Sequence, residues 1–327
     1  MDIYNDDCFN VFSKIKEKIN LVLVDLPYGQ TDCKWDENID LNKMWDELKK
    51  ICTNNCIYVF FCTTKFGYQL IKSNPCWFRY DLVWEKSKAV GFLAANKIPL
   101  RKHEMIYIFG FTGDDLECKR NLELRKYAEN VKNFIDKPYA QIKKDIGNRG
   151  IQKFYEFKTS QFAIPTKNNY NKLIELYKIN EMEGFKTYDK LKELKEKCEK
   201  KTYNPQKTKG KPYKVKEHLS NVDIYGQKRI PLSENKTGDR HPHSILKFNQ
   251  PQKSLHPTQK PVDLCEWLIK TYSNEGDLIL DFTAGSMSTG EACINTKRRF
   301  ICIEKDKDIY EIGKERLLNI CPDVNCH

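Results

Sequence analysis

Two places in the chain put a carboxylate at the end of an apolar run, the position from which a parallel sheet presents groups to a ligand. Leu21, Val22, Leu23 and Val24 run straight into Asp25, Leu26, Pro27, Tyr28 and Gly29. A carboxylate there accepts hydrogen bonds, and Pro27 fixes the backbone so that the Leu26 carbonyl can accept another. Tyr28 offers a flat face to a planar ring. The set suits the amino group of a nucleobase, although an ordinary strand-to-loop turn with a capping aspartate fits the same residues. The second place begins at residues 278–280, which lead into Asp281, Phe282, Thr283, Ala284, Gly285, Ser286, Met287, Ser288, Thr289 and Gly290. A helix follows, and then a strand at 299–303 that ends in Glu304. A tight loop at a helix N-terminus, with an acid about 20 positions later to pair with ribose hydroxyls, is a nucleoside-binding arrangement. The loop holds only Gly285 and Gly290 and lacks the GxGxxG spacing, so a pyrophosphate would be cradled poorly. That disfavours NAD and P-loop nucleotides and points to a nucleoside without phosphate, S-adenosylmethionine.

These junctions need a sheet beneath them. Residues 1–110 alternate short apolar runs with polar helical stretches, the pattern of a parallel sheet covered by helices. Strands are expected at 21–25, 57–61, 80–84 and 104–109, with an amphipathic helix near 42–52 that Asp40 is placed to cap. From about residue 112 the chain turns helical and rich in Lys and Asn, with short helices at 139–146 and 170–177. Tyr188, Leu191, Leu194 and Cys198 form an apolar stripe on a third helix, which reads as a packing face. Residues 201–249 are dense in Pro, Gly, Asn and Lys and read as loops, and a strand and helix pattern returns near Leu255.

The 327 residues are 40% hydrophobic and 31% charged, which fits a globular protein of one large domain or two modest ones. No apolar run approaches the ~18 residues of a membrane span, and the N-terminus lacks a basic start followed by an apolar stretch. Secretion and membrane spanning are disfavoured, and a reducing cytoplasmic compartment is expected. The 13 cysteines are scattered and read as reduced thiols. Cys52 with Cys56, and Cys321 with Cys326, lack a second pair at zinc-ribbon spacing, so no metal site is expected. The net charge of +11 is concentrated in the middle: residues 119–216 hold 26 Lys and Arg against 12 Asp and Glu, leaving 30 against 33 elsewhere. A basic segment interleaved with Tyr, Asn and Gln suits phosphate contacts and base-edge readout; a solvated lysine-rich insertion is the other reading.

Taken together, the two halves resemble the DNA amino-methyltransferases, which modify the exocyclic amine of adenine or cytosine, in the permuted, beta-type order where the catalytic motif precedes the cofactor motif. Asp25 to Tyr28 is similar to the family's catalytic tetrapeptide of Asp, Pro, Pro and Tyr, and Asp281 to Thr289 to its glycine motif. His256, Pro257, Thr258, Gln259, Lys260 and Pro261, followed by Ser273, Asn274, Glu275, Gly276 and Asp277, resemble the stretch beside the methionine part of the cofactor. Asp7 and Cys8 are similar to the Asp-Cys pair that opens many members. Further matches are Lys34, Trp35, Asp36; Trp84, Glu85, Lys86; Pro99, Leu100, Arg101 with His103 and Glu104; and Tyr203, Asn204, Pro205, Gln206. The likeness covers roughly 2–110 and 203–318 and is strongest to site-specific adenine enzymes of bacteria and phages.

The resemblance implies an α/β fold, a Rossmann-like S-adenosylmethionine-dependent methyltransferase sheet built from both chain ends. Residues 1–110 would be the catalytic half and 251–327 the cofactor half. Residues 111–250 would be a target-recognition region carrying the basic helical insertion at about 112–200. Asp25, Leu26, Pro27 and Tyr28 become the catalytic residues. Asp7 falls at the adenine end of the cofactor and Glu304 at the ribose, with Cys8 and Lys305 also in the implied cofactor site. Lys260 and Gly285 fall at the methionine end, and Asp25, His256, Thr258, Asp281, Phe282, Thr283, Ala284, Ser286 and Ser288 complete the implied cofactor site. The implied partner is double-stranded DNA, bound by a monomer or homodimer.

In the implied mechanism the base flips out and stacks on Tyr28 while Asp25 and the Leu26 carbonyl hold its amine for in-line attack on the methyl, with no metal. Adenine N6 is preferred and cytosine N4 stays open. Carbon-5 chemistry needs a cysteine nucleophile, and the Pro75-Cys76 pair precedes a strand instead of following one. Leu26 replaces the first proline and Met287 replaces a loop glycine, which crowds the loop if the backbone needs a positive φ. These departures leave a degenerate DNA-binding homologue open, and an RNA amine or a protein glutamine amide are further acceptors. Residues 140–157 faintly resemble a helix-turn-helix; a phosphate-clamping helical spacer fits them equally.

Overall fold

The computed structural model describes the chain except residues 28–38, 111–121, 160, 200–201, 217, 223–225, 231–232 and 252–258. The first third runs β1 (Asp2–Asn5), α1 (Cys8–Phe12), β2 (Ile19–Asp25), α2 (Leu41–Ile51), β3 (Cys52–Cys62), α3 (Thr64–Ser73), β4 (Phe78–Val90) and β5 (Arg101–Gly110). Five helices follow: α4 (Leu122–Ile135), α5 (Tyr139–Ile146), α6 (Gln152–Tyr155), α7 (Lys167–Tyr177) and α8 (Tyr188–Glu199). Short strands come next: β6 (Thr208–Lys209), β7 (Tyr213–Val215), β8 (His218–Val222), β9 (Gly226–Ile230), β10 (Ser233–Asn235) and β11 (Asp239–Arg240). The chain closes with β12 (Ile245–Phe248), α9 (Val262–Tyr272), β13 (Leu278–Asp281), α10 (Ser288–Asn295), β14 (Arg299–Glu304), α11 (Lys307–Ile320) and β15 (Asn325–Cys326).

Nine strands form one sheet in the order β12-β4-β5-β3-β2-β13-β14-β1-β15. At its centre β2 from the front of the chain lies parallel to β13 from the back, with Leu21 opposite Ile279 and Val22 opposite Leu280. From this seam the chain proceeds outward in opposite directions, from β2 to β3 and from β13 to β14. Such a reversal opens a crevice at the carboxyl ends of the two strands, here the ends that carry Asp25 and Asp281. The sheet is a Rossmann-like α/β layer with helices on both faces. Side chains alternate accordingly: Leu21 and Leu23 pack with Leu264, Leu268, Ala292 and Cys293 from α9 and α10. Val22 and Val24 pack on the opposite face with Met44, Trp45, Leu48, Phe66 and Leu70 from α2 and α3. Asp40 caps α2 as expected, accepting from the Asn42 and Lys43 amides at 3.0 and 3.1 Å.

The all-parallel expectation fails at β5, which is antiparallel to both β3 and β4. The connection between β4 and β5 holds only a single 3-10 turn, Phe92–Ala94, too short for a crossover helix, so the chain returns as a hairpin. The loop expectation for 201–249 also fails in part: β6 with β11, β7 with β10, and β8 with β9 form three two-stranded ladders. Residues 245–248, near the end of the 111–250 stretch, join the main sheet as β12 beside β4.

Helices α4 to α8 enclose a core of their own that includes Leu124, Val131, Ile142, Phe154, Tyr170 and Leu191. Tyr188 and Leu194 of the apolar stripe pack against it. No helix-turn-helix forms there, because α6 is 4 residues long and Phe154 is buried, leaving no second helix with a free face for a major groove. The described cysteines are all free thiols. No helix among the described residues is long and apolar enough to cross a membrane.

Met287 precedes α10 in the left-handed region, at φ 59° and ψ 36°, the conformation that favours glycine. Its side chain is fully buried and fills the space that Gly313 of α11 leaves open, where a Cβ would lie 2.6 Å from Met287 Cγ. The crowding is therefore taken up by the core. Met287→Gly is expected to lower stability by about 1–3 kcal/mol in urea unfolding, since losing a buried side chain outweighs the relief of backbone strain. Gly313→Ala should be costly in the wild type and cheaper beside Met287→Gly; equal costs in both backgrounds would contradict the packing argument.

Candidate active site

The carboxyl ends of β2, β13 and β14 open on a cavity of about 950 Å³. Asp25, Leu26 and Pro27 line it from the first junction, and Asp281, Phe282, Thr283, Ala284, Gly285, Ser286 and Ser288 from the second. Asp7 and Cys8 reach it from the start of α1, Glu304 and Lys305 from the end of β14, and Lys260 from the approach to α9. Tyr28, His256 and Thr258 lie outside the described residues.

Local hydrogen bonds shape the loop after β13. The Thr283 amide donates to Asp281 Oδ1 at 3.2 Å, and the Thr283 hydroxyl donates to the Asp25 carbonyl at 3.0 Å, tying the two junctions together. The Gly285 amide donates to Glu304 Oε2 at 2.8 Å, and the Asp306 amide to Oε1 at 2.9 Å. Gly285 itself sits at φ 50°, and a Cβ added there would meet no atom within 4 Å, so its outer side is open. Arg316 holds the loop from α11, donating to the Ser286 carbonyl at 2.9 Å and the Ser288 hydroxyl at 3.1 Å while paired with Glu291. Nothing in the sequence distinguishes Arg316 from the other cations of an amphipathic helix.

The acids here are desolvated. Burial pushes Asp281 up to about 7, with the Asp25 and Glu304 charges adding and hydrogen bonds from Thr289 and Thr283 opposing. Burial also raises Glu304 above its ordinary value. At the other end Asp7 caps α1 by accepting from the Phe9 amide at 3.0 Å and lies 3.8 Å from the Lys305 ammonium. Burial, with the Asp7 charge adding, pushes the Cys8 thiol up to about 12, which keeps it protonated and non-nucleophilic.

A chain of charges crosses the cavity at the end of β2. The Lys260 ammonium is bonded to the Asp25 carboxylate and lies 3.2 Å from Glu104 Oε1, while Glu104 Oε2 is 2.7 Å from Lys86. Lys260 also sits 5.0 Å over the Phe61 ring. Burial works against its charge, yet the two carboxylates raise its pKa well above the usual lysine range. Glu104 is lowered despite its burial by Lys260 and Lys86. The structure thus places Lys260 on the acid of β2, whereas the resemblance alone puts it at the methionine end of the cofactor. Glu104 and Lys86 carry no role in the sequence reading, because the partner that gives them one is far away along the chain.

The family model N6_N4_Mtase, described as DNA methylase, matches residues 19–315. The chain belongs to this DNA methylase family. The chain is similar to the DNA adenine methyltransferase YhdJ of Escherichia coli, 45% identical over 62 residues, 19% of this chain and 21% of YhdJ. It is also similar to the type II methyltransferase M.HpaI of Haemophilus parainfluenzae, 42% identical over 77 residues, 24% of this chain and 23% of M.HpaI. These matches therefore span less than a quarter of the length of either curated relative. Among solved structures, an M1.HpyAVI-SAM complex matches 97% of this chain and 99% of that one, with a TM-score of 0.49 and 16% identity. The cytosine-N4-specific PvuII DNA methyltransferase matches 97% and 86%, with a TM-score of 0.47 and 12% identity.

S-adenosylmethionine is the cofactor of the family. The cavity fits it: the Glu304 carboxylate in its lining is desolvated and able to accept from hydroxyls, and the outer side of Gly285 is open to a ligand.

Proposed function

We propose that this DNA methylase transfers a methyl group from S-adenosylmethionine to the exocyclic N6 amine of adenine in double-stranded DNA, after the target base has left the stack. The observation that carries this reading is the bond from the Thr283 hydroxyl to the Asp25 carbonyl, which fixes the cofactor loop against the amine-holding junction at the seam of β2 and β13. The bound cofactor supplies an electrophilic methyl on a sulfonium. Asp25 and the Leu26 carbonyl accept the two N–H bonds of the amine, so the nitrogen lone pair turns out of ring conjugation and toward the methyl. The Leu26 side chain is buried in the core under the junction, so leucine in place of proline leaves the backbone acceptor in position. Once methylated, the amine is strongly acidic, and its proton passes to Asp25 without need of a strong base. Asp7 and Lys305 take the adenine end of the cofactor, Glu304 the ribose, and the 281–288 loop the remainder. The basic helical unit of α4 to α8 holds the duplex through its phosphates. A DNA substrate places the protein inside the cell.

Adenine is favoured because the tetrapeptide opens with Asp and because YhdJ is named as an adenine enzyme. Cytosine N4 is the second reading, motivated by the PvuII enzyme's name. Tritium transfer to unmethylated duplex, followed by digestion to nucleosides, tests both: label is expected in N6-methyladenine. Label in N4-methylcytosine would overturn adenine, and no label in DNA would overturn the reaction.

A further inference from the structure

Between Glu85 and Glu104 the chain carries Lys86, Lys88, Lys97, Arg101 and Lys102 and not one acid. The same stretch ends in solvent with apolar side chains: Leu93 is 100% exposed, Phe92 82% and Ile98 60%. Apolar surface left in water is unfavourable, and a patch of it ringed by charge marks an interaction site. The tip is built, not slack. Gly91, at φ 94°, turns the chain out of β4 into the 3-10 turn Phe92–Ala94, and the amides of Lys97 and Ile98 bond back to the Ala94 carbonyl at 2.8 and 3.0 Å. Its stem belongs to the cavity: Val90 pairs with Arg101 across the hairpin, and both line the pocket together with His103.

We infer that this hairpin tip is a wedge for duplex DNA. Phe92 and Leu93 enter the base stack beside the target and take the space the extruded base leaves, while Lys88, Lys97 and Arg101 meet the flanking phosphates. Apolar side chains that insert between base steps unstack them, and the basic surround releases counterions, so one element supplies both the opening of the duplex and its grip. The charge selects DNA over a second copy of this chain, because an isologous contact would press two such basic tips together. The inference rests on the DNA-methylation reading and adds how the base is brought out.

Phe92→Ser combined with Leu93→Ser tests it; both positions are exposed, so folding is unaffected. Methylation rates are compared on a fully paired duplex and on the same duplex with the target base mispaired. The variant is expected to be slowed about tenfold or more on the paired duplex and by less than about twofold on the mispaired one, where extrusion is already cheap. Equal wild-type and variant rates on the paired duplex, or an equal loss on both, would overturn the wedge and leave the methylation reading standing. A wild type that methylates neither duplex would overturn that reading and the wedge with it. Light scattering closes the remaining case: a wild-type dimer that becomes a monomer in the variant would assign the tip to a second copy and overturn the wedge.

Discussion

Asp25→Ala is expected to slow methyl transfer by about 100- to 1000-fold while changing affinity for S-adenosylmethionine by less than about tenfold. The reason is positional. Asp25 ends β2 at the point where Thr283 ties the loop after β13 to it, and in the proposed mechanism its carboxylate accepts from the amine there. Glu304 and Gly285, bonded to each other beside the loop after β13, are untouched by the change. Asp25→Asn keeps an acceptor oxygen and should retain a measurable part of the rate. Single-turnover transfer gives the chemical step, calorimetric titration gives cofactor binding, and a thermal melt of each variant separates catalysis from folding. An alanine variant that transfers at the wild-type rate would remove Asp25 from the mechanism.

Lys260→Ala has the largest expected effect on stability, about 3–5 kcal/mol near neutral pH, because it leaves two carboxylates facing each other without the cation between them. Replacing one ion of a buried cluster costs more than the cluster is worth, since Asp25 and Glu104 lose the cation they share, although Glu104 keeps Lys86 at 2.7 Å. The pH dependence follows from the direction of each shift. Glu104 is held below its ordinary value of 4.5, so its contribution is present above 4.5 and is lost as pH falls through its lower folded value. Lys260 is held above its ordinary value of 10.5, so its contribution is present below 10.5 and is lost as pH rises through its higher folded value. The gap between wild type and variant should therefore be widest from mildly acidic to mildly alkaline pH and close on acidification. Urea unfolding as a function of pH measures it, and a gap that does not narrow in acid would mean the loss is one of packing against Phe61, not of charge.

Much of this molecule was legible as one-dimensional pattern. An apolar strand ending in Asp25, another ending in Asp281, an acid at Glu304 and the order of those motifs are local features, and local features survive the absence of a structure. Asp40 was readable as a cap for the same reason: a cap is satisfied by amides two and three residues away. The short ladders in 201–249 were hidden because strands of two to five residues, such as β6 and β8, are too brief for alternation to rise above turn-like composition. The resemblance of 140–157 to a helix-turn-helix misled because the order of helix, turn and further helical stretch does not show that Ile151 and Phe154 are spent on the insertion's own core.

The sequence by itself determined the chemistry on offer: which side chains stand at strand ends and where positive charge accumulates. Only the tertiary structure decided how those groups are used. It reversed β5, because the connection from β4 is too short to cross over, and so brought Glu104 across from Lys260. It turned Met287 from an obstruction of the loop into core packing, because Gly313 on another helix leaves room for it. It set Lys260 on Asp25, a pairing of residues 235 positions apart that no spacing rule can express. Pairings of that kind depend on strand direction and on burial, and both are properties of the folded sheet, not of any window along the chain.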